Sequence, residues 1–387
     1  MLNPNLQKVN FSQNEYKSYA QHIILPKIEL EGQKRLKTAK ILCIGVGGLG
    51  SACLLYLAAA GVGNIGIIDH DTVEQSNLQR QIIYRTSNIG NIKVNCAKKN
   101  IQKINSLCII KTYNNRLDLH NALLIIPKYD LVIDGTDNLK TKYTISIACN
   151  ILNKPHVYGA ILGFIGQISV FNYQGGPQYQ DLYPVEYANS YLMKCTEGGI
   201  LSTLPGIIGT LQATEAIKIA TGAGKVLSES ILIYDALNTS FKKIRLRKNT
   251  VPICIQKQQN NVLSNVYYNN SKLAPSFYQK TNPASTLTEY TKTNIITLTR
   301  NSNILLLDVR NPSEYRFSKI KYARNIPLKQ LKSRKILSLL KHESKTKQIY
   351  VYCSTESRAI AALSLLQKHK IKGIHLSVET NELYNNQ

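Results

Sequence analysis

Lys40-Ile-Leu-Cys-Ile-Gly45-Val-Gly-Gly-Leu-Gly50-Ser-Ala-Cys-Leu-Leu-Tyr-Leu-Ala-Ala-Ala60 decides the reading of this chain. A short apolar run, long enough for one buried strand, passes into a Gly-rich turn and then into an Ala/Leu-rich helix. A second apolar run, Ile65 to Ile68, ends on Asp69. Strand, Gly-rich turn, helix, strand and acid make a nucleotide-binding βαβ unit. The glycines let the backbone turn tightly and approach a phosphate, and the helix N-terminus offers it free N–H groups. Asp69 is placed to reach a ribose hydroxyl. This much fits NAD and ATP equally.

The following segments choose between them. Asp69-x-Asp71 leads to Ser76-Asn-Leu-Gln-Arg-Gln81, then Lys93, then Asp134-x-Thr-Asp-Asn138 at the end of a further strand. An enzyme that splits ATP between its α and β phosphates needs cations for the phosphates and a carboxylate for Mg²⁺. A dehydrogenase has no use for that set. In these motifs, and in Ala59-Ala-Gly-Val-Gly63, the chain from Tyr16 to Lys248 resembles the E1-like adenylyltransferases that activate ubiquitin-like sulfur carriers. The likeness is to the molybdopterin-synthase and thiamine-carrier types. It implies a Rossmann-like α/β adenylation domain with a mixed sheet.

The resemblance also implies the roles. Gly45, Gly47, Gly48 and Gly50 approach the nucleotide, and Asp69 holds the ribose. Ser76, Asn77, Leu78, Gln79, Arg80 and Lys93 line the phosphates; Asp137 binds Mg²⁺ with Asn138 beside it. Arg80, Lys93, Asp137, Cys195 and Cys353 are the expected catalytic set. The partner is a ubiquitin-like sulfur-carrier protein ending in Gly-Gly, whose C-terminal carboxylate attacks ATP to start sulfur transfer toward molybdopterin. A thiamine or tRNA-thiolation carrier is the alternative. Two other classes stand beside it: a nicotinamide-dependent oxidoreductase and a nucleotide-binding scaffold with a degenerate site.

Departures from the family pattern carry expectations of their own. Gln21 stands where relatives have an Arg that reaches the phosphates of a dimer partner; a homodimer is still expected. Relatives carry two CxxC pairs that hold zinc. Here Gln178 and Asp181 occupy the first, and Val251 precedes Cys254 in the second, so zinc is expected to be absent. Cys195 lies where relatives have a Cys in the loop over the adenylate; an inert loop thiol is the alternative.

After Arg247 the pattern changes. Residues 251–292 lose periodicity and are rich in Gln, Asn, Ser and Tyr, which reads as a linker between a domain over 1–250 and another over 293–387. In the tail, strands Asn303 to Asp308 and Gln348 to Cys353 precede Cys353-Ser-Thr-Glu-Ser-Arg358 and a helix. A Cys between a strand and a helix start meets backbone N–H groups and the positive helix end. With Asp308-Val-Arg-x-Pro-x-Glu-Tyr315 and Arg324-Asn-Ile-Pro-Leu328, this resembles a rhodanese domain rather than a phosphatase loop. Cys353 and Arg358 then form the loop that takes sulfur from a persulfide or thiosulfate. Lys319 stands where a His is common.

Composition sets outer limits. The net charge of +25 suits a polyanionic partner, but Lys and Arg are scattered, and abundant Lys, Asn, Ile and Tyr without Trp fit an AT-rich coding genome. No nucleic-acid or membrane partner is expected. The eight cysteines form no CxxC pair, which points to a reducing compartment without structural disulfides. The N-terminus has no signal core and no transit character, so a bacterial-type cytoplasm or a plastid stroma is expected. Ile41 to Val62 is apolar enough to mimic a membrane span, but its glycines and fingerprint argue for strand, turn and helix.

Overall fold

The computed structural model describes residues 4–184, 199–248 and 303–376, apart from 318, 354 and 355. The described residues fall into two compact units, 4–184 with 199–248, and 303–376.

The first unit opens with α1 (Gln13–Ser18), α2 (Ala20–Ile23) and α3 (Glu29–Thr38), then β1 (Lys40–Ile44), α4 (Gly48–Ala59) and β2 (Asn64–Ile68). It continues through α5 (Lys93–Ile104), β3 (Ile109–Tyr113), α6 (Leu119–Ile125), β4 (Leu131–Asp134) and α7 (Leu139–Ile151). β5 (His156–Leu162), β6 (Ile165–Phe171), α8 (Tyr179–Leu182), α9 (Leu204–Thr221), β7 (Ser230–Asp235) and β8 (Ser240–Arg245) complete it.

The eight strands form one sheet in the order β3-β2-β1-β4-β5-β6-β7-β8. The first five are parallel and β6 to β8 antiparallel, so the sheet is mixed. β1 and β4 are near-fully buried because helices cover both faces, which explains their unbroken apolar runs. Leu54 and Leu57 of α4 are fully buried against that sheet, each contributing about 2 kcal/mol. α1 starts with a capping box, Ser12 with Glu15. Two expectations change here. Ser230 to Ala236 reads as the closing edge strand, but β8 pairs outside it and is the edge; all six of its positions are exposed, so it shows no apolar period. Ile82 to Asn105 reads as one helix, but the helix begins at Lys93, after two short turns.

The second unit holds β9 (Ile304–Asp308), α10 (Pro312–Phe317), β10 (Arg324–Asn325), α11 (Leu328–Leu331), α12 (Arg334–Glu343), β11 (Gln348–Tyr352), α13 (Glu356–Lys368) and β12 (Gly373–Leu376). Its parallel sheet runs β10-β9-β11-β12 around a core that includes Leu307, Val351, Leu340 and Leu366.

Candidate active site

The chain steps outward from β1 through β2 to β3, then returns to place β4 on the other side of β1. This is a topological switch point, where open α/β sheets bind ligands. Register sets Ile44 beside both Ile68 and Asp134, so the turns leaving β1, β2 and β4 lie on one sheet edge.

The turn after β1 is held by backbone. Gly45 has φ +87° and donates its N–H to the Ile68 carbonyl at 2.8 Å. A Cβ on it would lie 2.9 Å from the Gly135 carbonyl carbon. Gly50, one turn into α4, sits directly over the Gly45 carbonyl, so any side chain there would push the helix off the strand. Gly47 caps α4 without a side-chain hydrogen bond, leaving first-turn N–H groups for an incoming anion. Asp69 has a duty beyond the one its position suggested. Its Oδ2 accepts from the Val46 N–H at 2.8 Å and its Oδ1 from the Asp71 N–H at 2.9 Å, so it pins the glycine turn to the end of β2.

The polar segment folds back over this turn. Asn77 is buried, its Oδ1 accepting from the Glu74 N–H and its Nδ2 reaching Ser76 Oγ at 3.3 Å. Arg80 donates to the Ser76 carbonyl at 3.0 Å, and its own carbonyl lies close to Gly48. Leu78 packs on the core while Gln79 is exposed. Lys93, the first residue of α5, is buried, and its ammonium donates to Asp71 Oδ2 at 2.9 Å. The buried Gln81 Oε1 has no hydrogen-bond partner among the described residues, and the Gln81 side chain lies near Gly47. Asp69, His70 and Asp71 offer ligand atoms within 4.8 Å of one another, but both carboxylates already accept backbone or Lys93 hydrogen bonds.

At the end of β4 the motif residue Asp134 anchors a buried network whose other members, Lys142 and His156, the sequence did not single out. Asp134 is fully buried; it accepts from the Thr136 N–H and hydroxyl, both its oxygens accept from the Lys142 ammonium at 3.1 Å, and it pairs with His156 Nε2 at 3.3 Å. Lys142 also donates to the Gly159 carbonyl at 2.8 Å and lies over the Tyr158 ring. Burial alone would raise the Asp134 carboxyl; Lys142, then His156 and Thr136, outweigh it and hold the group at about 2. The network fastens the turn that carries Asp137. Asp137 and Asn138 are exposed on that turn, and Asn138 Oδ1 caps α7 through the Thr141 N–H at 2.9 Å. One open carboxylate on this edge is the kind of donor Mg²⁺ takes, since that ion is held through one or two carboxylates with waters and phosphates.

The second unit carries its own candidate. Cys353 follows β11 and is buried. Asp308 grips the Arg310 guanidinium, with contacts from 2.7 to 3.1 Å, and Arg310 lies over the Tyr352 ring at 4.8 Å. Asn325 donates to the Asp308 and Arg310 carbonyls, tying β10 to the same loop. Arg358 adds no uncompensated charge beside the thiol: it forms a two-pronged pair with Glu314 at 2.8 and 2.9 Å. Burial works against its charged form, but Glu314 and the nearby Cys353 hold its pKa up. Lys319 leans on the Tyr315 ring.

Cys195, Val251 and Cys254 lie outside the described residues. Gln178 donates to Asn150 Oδ1 at 2.9 Å, and Asp181 Oδ2 accepts from the Gln178 N–H at 2.7 Å, so both close the start of α8. Gln21 is exposed in a shallow groove with Tyr56 and Thr214. No helix among the described residues is long and apolar enough to cross a membrane.

A glycine turn, an acid-pinned second strand and a tethered Asp-rich turn meet on one edge of an E1-like fold. The ThiF family matches residues 19–254 and the rhodanese-like domain residues 292–379. The chain belongs to the ThiF family and carries a C-terminal rhodanese domain. It is 44% identical over 378 residues, 97% of this chain and 94% of the relative, to a probable molybdopterin-synthase adenylyltransferase of Porphyra purpurea. It is 37% identical to the adenylyltransferase and sulfurtransferase MOCS3-1 of Zea mays, across 90% of this chain and 77% of the relative. Among solved structures, E. coli MccB with ATP matches the fold at a TM-score of 0.53 and 18% identity, over 64% of this chain and 82% of that one.

Proposed function

We propose that this chain adenylates the C-terminal glycine of a ubiquitin-like sulfur-carrier protein, using ATP, as the activating step of sulfur transfer in molybdopterin cofactor synthesis. The observation that carries the reading is the meeting on one sheet edge of the glycine turn, the Asp69–Asp71 turn with Lys93, and the Asp134–Asn138 turn. The P. purpurea relative of that name supports the choice of pathway.

The carrier carboxylate is ionised before it attacks the α-phosphate, so the site needs no general base; its work is placement and charge neutralisation. Asp69 holds the ribose, the glycine turn approaches the phosphates, and Ser76, Asn77, Leu78, Gln79, Arg80 and Lys93 line them. Lys93 exchanges Asp71 for a phosphate oxygen when ATP enters. Asp137, with Asn138 at its side, would hold Mg²⁺, which would supply charge neutralisation at the phosphates. Cys353, in a rhodanese domain spanning 293–387, carries a persulfide taken from a persulfide or thiosulfate donor; its outer sulfur attacks the acyl-adenylate carbonyl and AMP leaves, and a thiol, that of Cys195 in the adenylation domain, 1–250, or an external one, then cleaves the S–S bond of the acyl disulfide, freeing the thiocarboxylate and leaving a disulfide on Cys353. Residues 251–292 link the two domains and raise the local concentration of the donor. The chain takes no zinc, because three of the four usual thiolates are replaced. It acts as a homodimer in a reducing compartment; relatives from red algae favour the plastid stroma.

ATP–pyrophosphate exchange dependent on the carrier tests this. The wild type exchanges label; Asp137→Ala loses exchange by at least about a hundredfold, since the developing charge on the pyrophosphate is left unneutralised. Unchanged exchange removes Asp137 from the site. Hydride transfer to a nicotinamide without exchange would indicate an oxidoreductase instead.

A further inference from the structure

The ring of contacts that closes around the candidate nucleotide site passes through one hydroxyl that no motif assigns. Tyr84 is buried, and its hydroxyl donates to the Val46 carbonyl at 3.0 Å, with the Lys93 carbonyl 3.5 Å away. Val46 lies inside the glycine turn, and its N–H already binds Asp69. Asp69 accepts from the Asp71 N–H, the Asp71 carbonyl accepts from the Lys93 N–H at 2.9 Å, and the Asp71 carboxylate takes the Lys93 ammonium. The circuit therefore runs Val46, Asp69, Asp71, Lys93, Tyr84 and back to Val46. Both polar groups of Val46 are held, one by the acid at the end of β2 and one by the phenol.

We propose that Tyr84 is a positioning residue that sets the glycine turn and Lys93 in mutual register for the phosphates of ATP. Burial, with Asp69 nearby, pushes the phenol far above its usual range, so it remains a donor at every pH at which the protein works. Without the hydroxyl the Val46 carbonyl is orphaned in the interior, and the turn is pinned from one side only. Asp69, which faces the ribose, keeps its bonds from the Val46 and Asp71 N–H groups when the phenol is lost, whereas the register between the glycine turn and Lys93 does not, so the loss falls on the triphosphate end. This proposal rests on the nucleotide reading above.

The test is Tyr84→Phe in the full-length chain, which removes one oxygen and keeps the ring and its packing. ATP and adenosine affinities are measured by calorimetry, and exchange kinetics with the carrier in parallel. The variant is expected to bind ATP about tenfold more weakly, equivalent to about 1.4 kcal/mol, the scale of one buried hydrogen bond. Its adenosine affinity and its KM for the carrier stay at wild-type values. Unchanged ATP affinity overturns the proposal, as does an equal loss for ATP and adenosine, which would mark a general loosening of the fold. A variant that does not fold overturns it as well, since the hydroxyl would then serve the core. Lys93→Ala and Asp137→Ala are run alongside. If neither of them weakens ATP, the nucleotide reading itself fails; if they do and Tyr84→Phe does not, only the role of Tyr84 is lost.

Discussion

Lys142→Met removes a charge from the interior at nearly constant volume, and its cost can be worked from the contacts of Asp134. The carboxyl is held at about 2 against an ordinary 3.8. That depression corresponds to about 2 kcal/mol of stability near neutral pH. Substitution also leaves a fully buried carboxylate and the Gly159 carbonyl short of a donor, and breaking one side of a buried pair costs about 3–5 kcal/mol in all. For a unit of this size the melting temperature should fall by about 10 °C. The pH dependence has a definite sign. In the wild type the folded pKa lies below the unfolded one, so the stabilisation is present above about pH 4 and is lost as pH falls toward 2. In the variant burial is no longer outweighed by Lys142, and the folded pKa moves up. Stability is then lost as pH rises through it, so the gap to wild type widens from mildly acid to neutral pH. Because the chain has no Trp, far-UV circular dichroism is the readout. Asp134→Asn in the Lys142→Met background should recover part of the loss. A melting temperature within about 2 °C of wild type at neutral pH, or a gap that narrows as pH rises, refutes the reasoning.

Two further outcomes follow from the site descriptions. Cys353→Ala should leave carrier adenylation near wild-type rate, since that chemistry sits in the first unit, and stop thiocarboxylate formation from thiosulfate; mass spectrometry of the carrier reads it. Carrier that gains sulfur at the wild-type rate would make the second domain a docking module. Elemental analysis of the purified protein should find no zinc, and one ion per chain that survives dialysis would show that other groups replace the missing thiolates.

The adenylation core was legible because its motifs are local. A strand, glycine turn and helix occupy consecutive residues, and β1, α4 and β2 fall within a residue or so of their sequence bounds, apart from the earlier start of α4 at Gly48. The Asp134 network was not legible, because Lys142 and His156 meet the acid only when β4, α7 and β5 pack, 8 and 22 residues along the chain. Read linearly, Lys142 is one more Lys in a basic chain. Tyr84 is hidden for the same reason: in sequence it is an aromatic residue after two isoleucines, and its partners lie 38 and 9 residues away. In the rhodanese unit, the Cys, the Arg and the motif residue Glu314 were all visible, but not the pairing of Glu314 with Arg358, 44 residues further along the chain. β8 escaped notice because a strand exposed along its whole length carries no alternation.

That last strand has a consequence for how the molecule behaves in a crowded solution. Among the described residues β8 has a strand partner on one side only, so its other side offers backbone donors and acceptors onto which a second chain can add. Its side chains include Lys242, Lys243 and Arg245, all exposed. Two copies approaching rim to rim bring like charges together at strand spacing, so polymerisation through this edge is opposed before any hydrogen bond forms. An anionic visitor meets no such barrier. The same three cations therefore bar this strand, and not the rest of the surface, from adding a second copy.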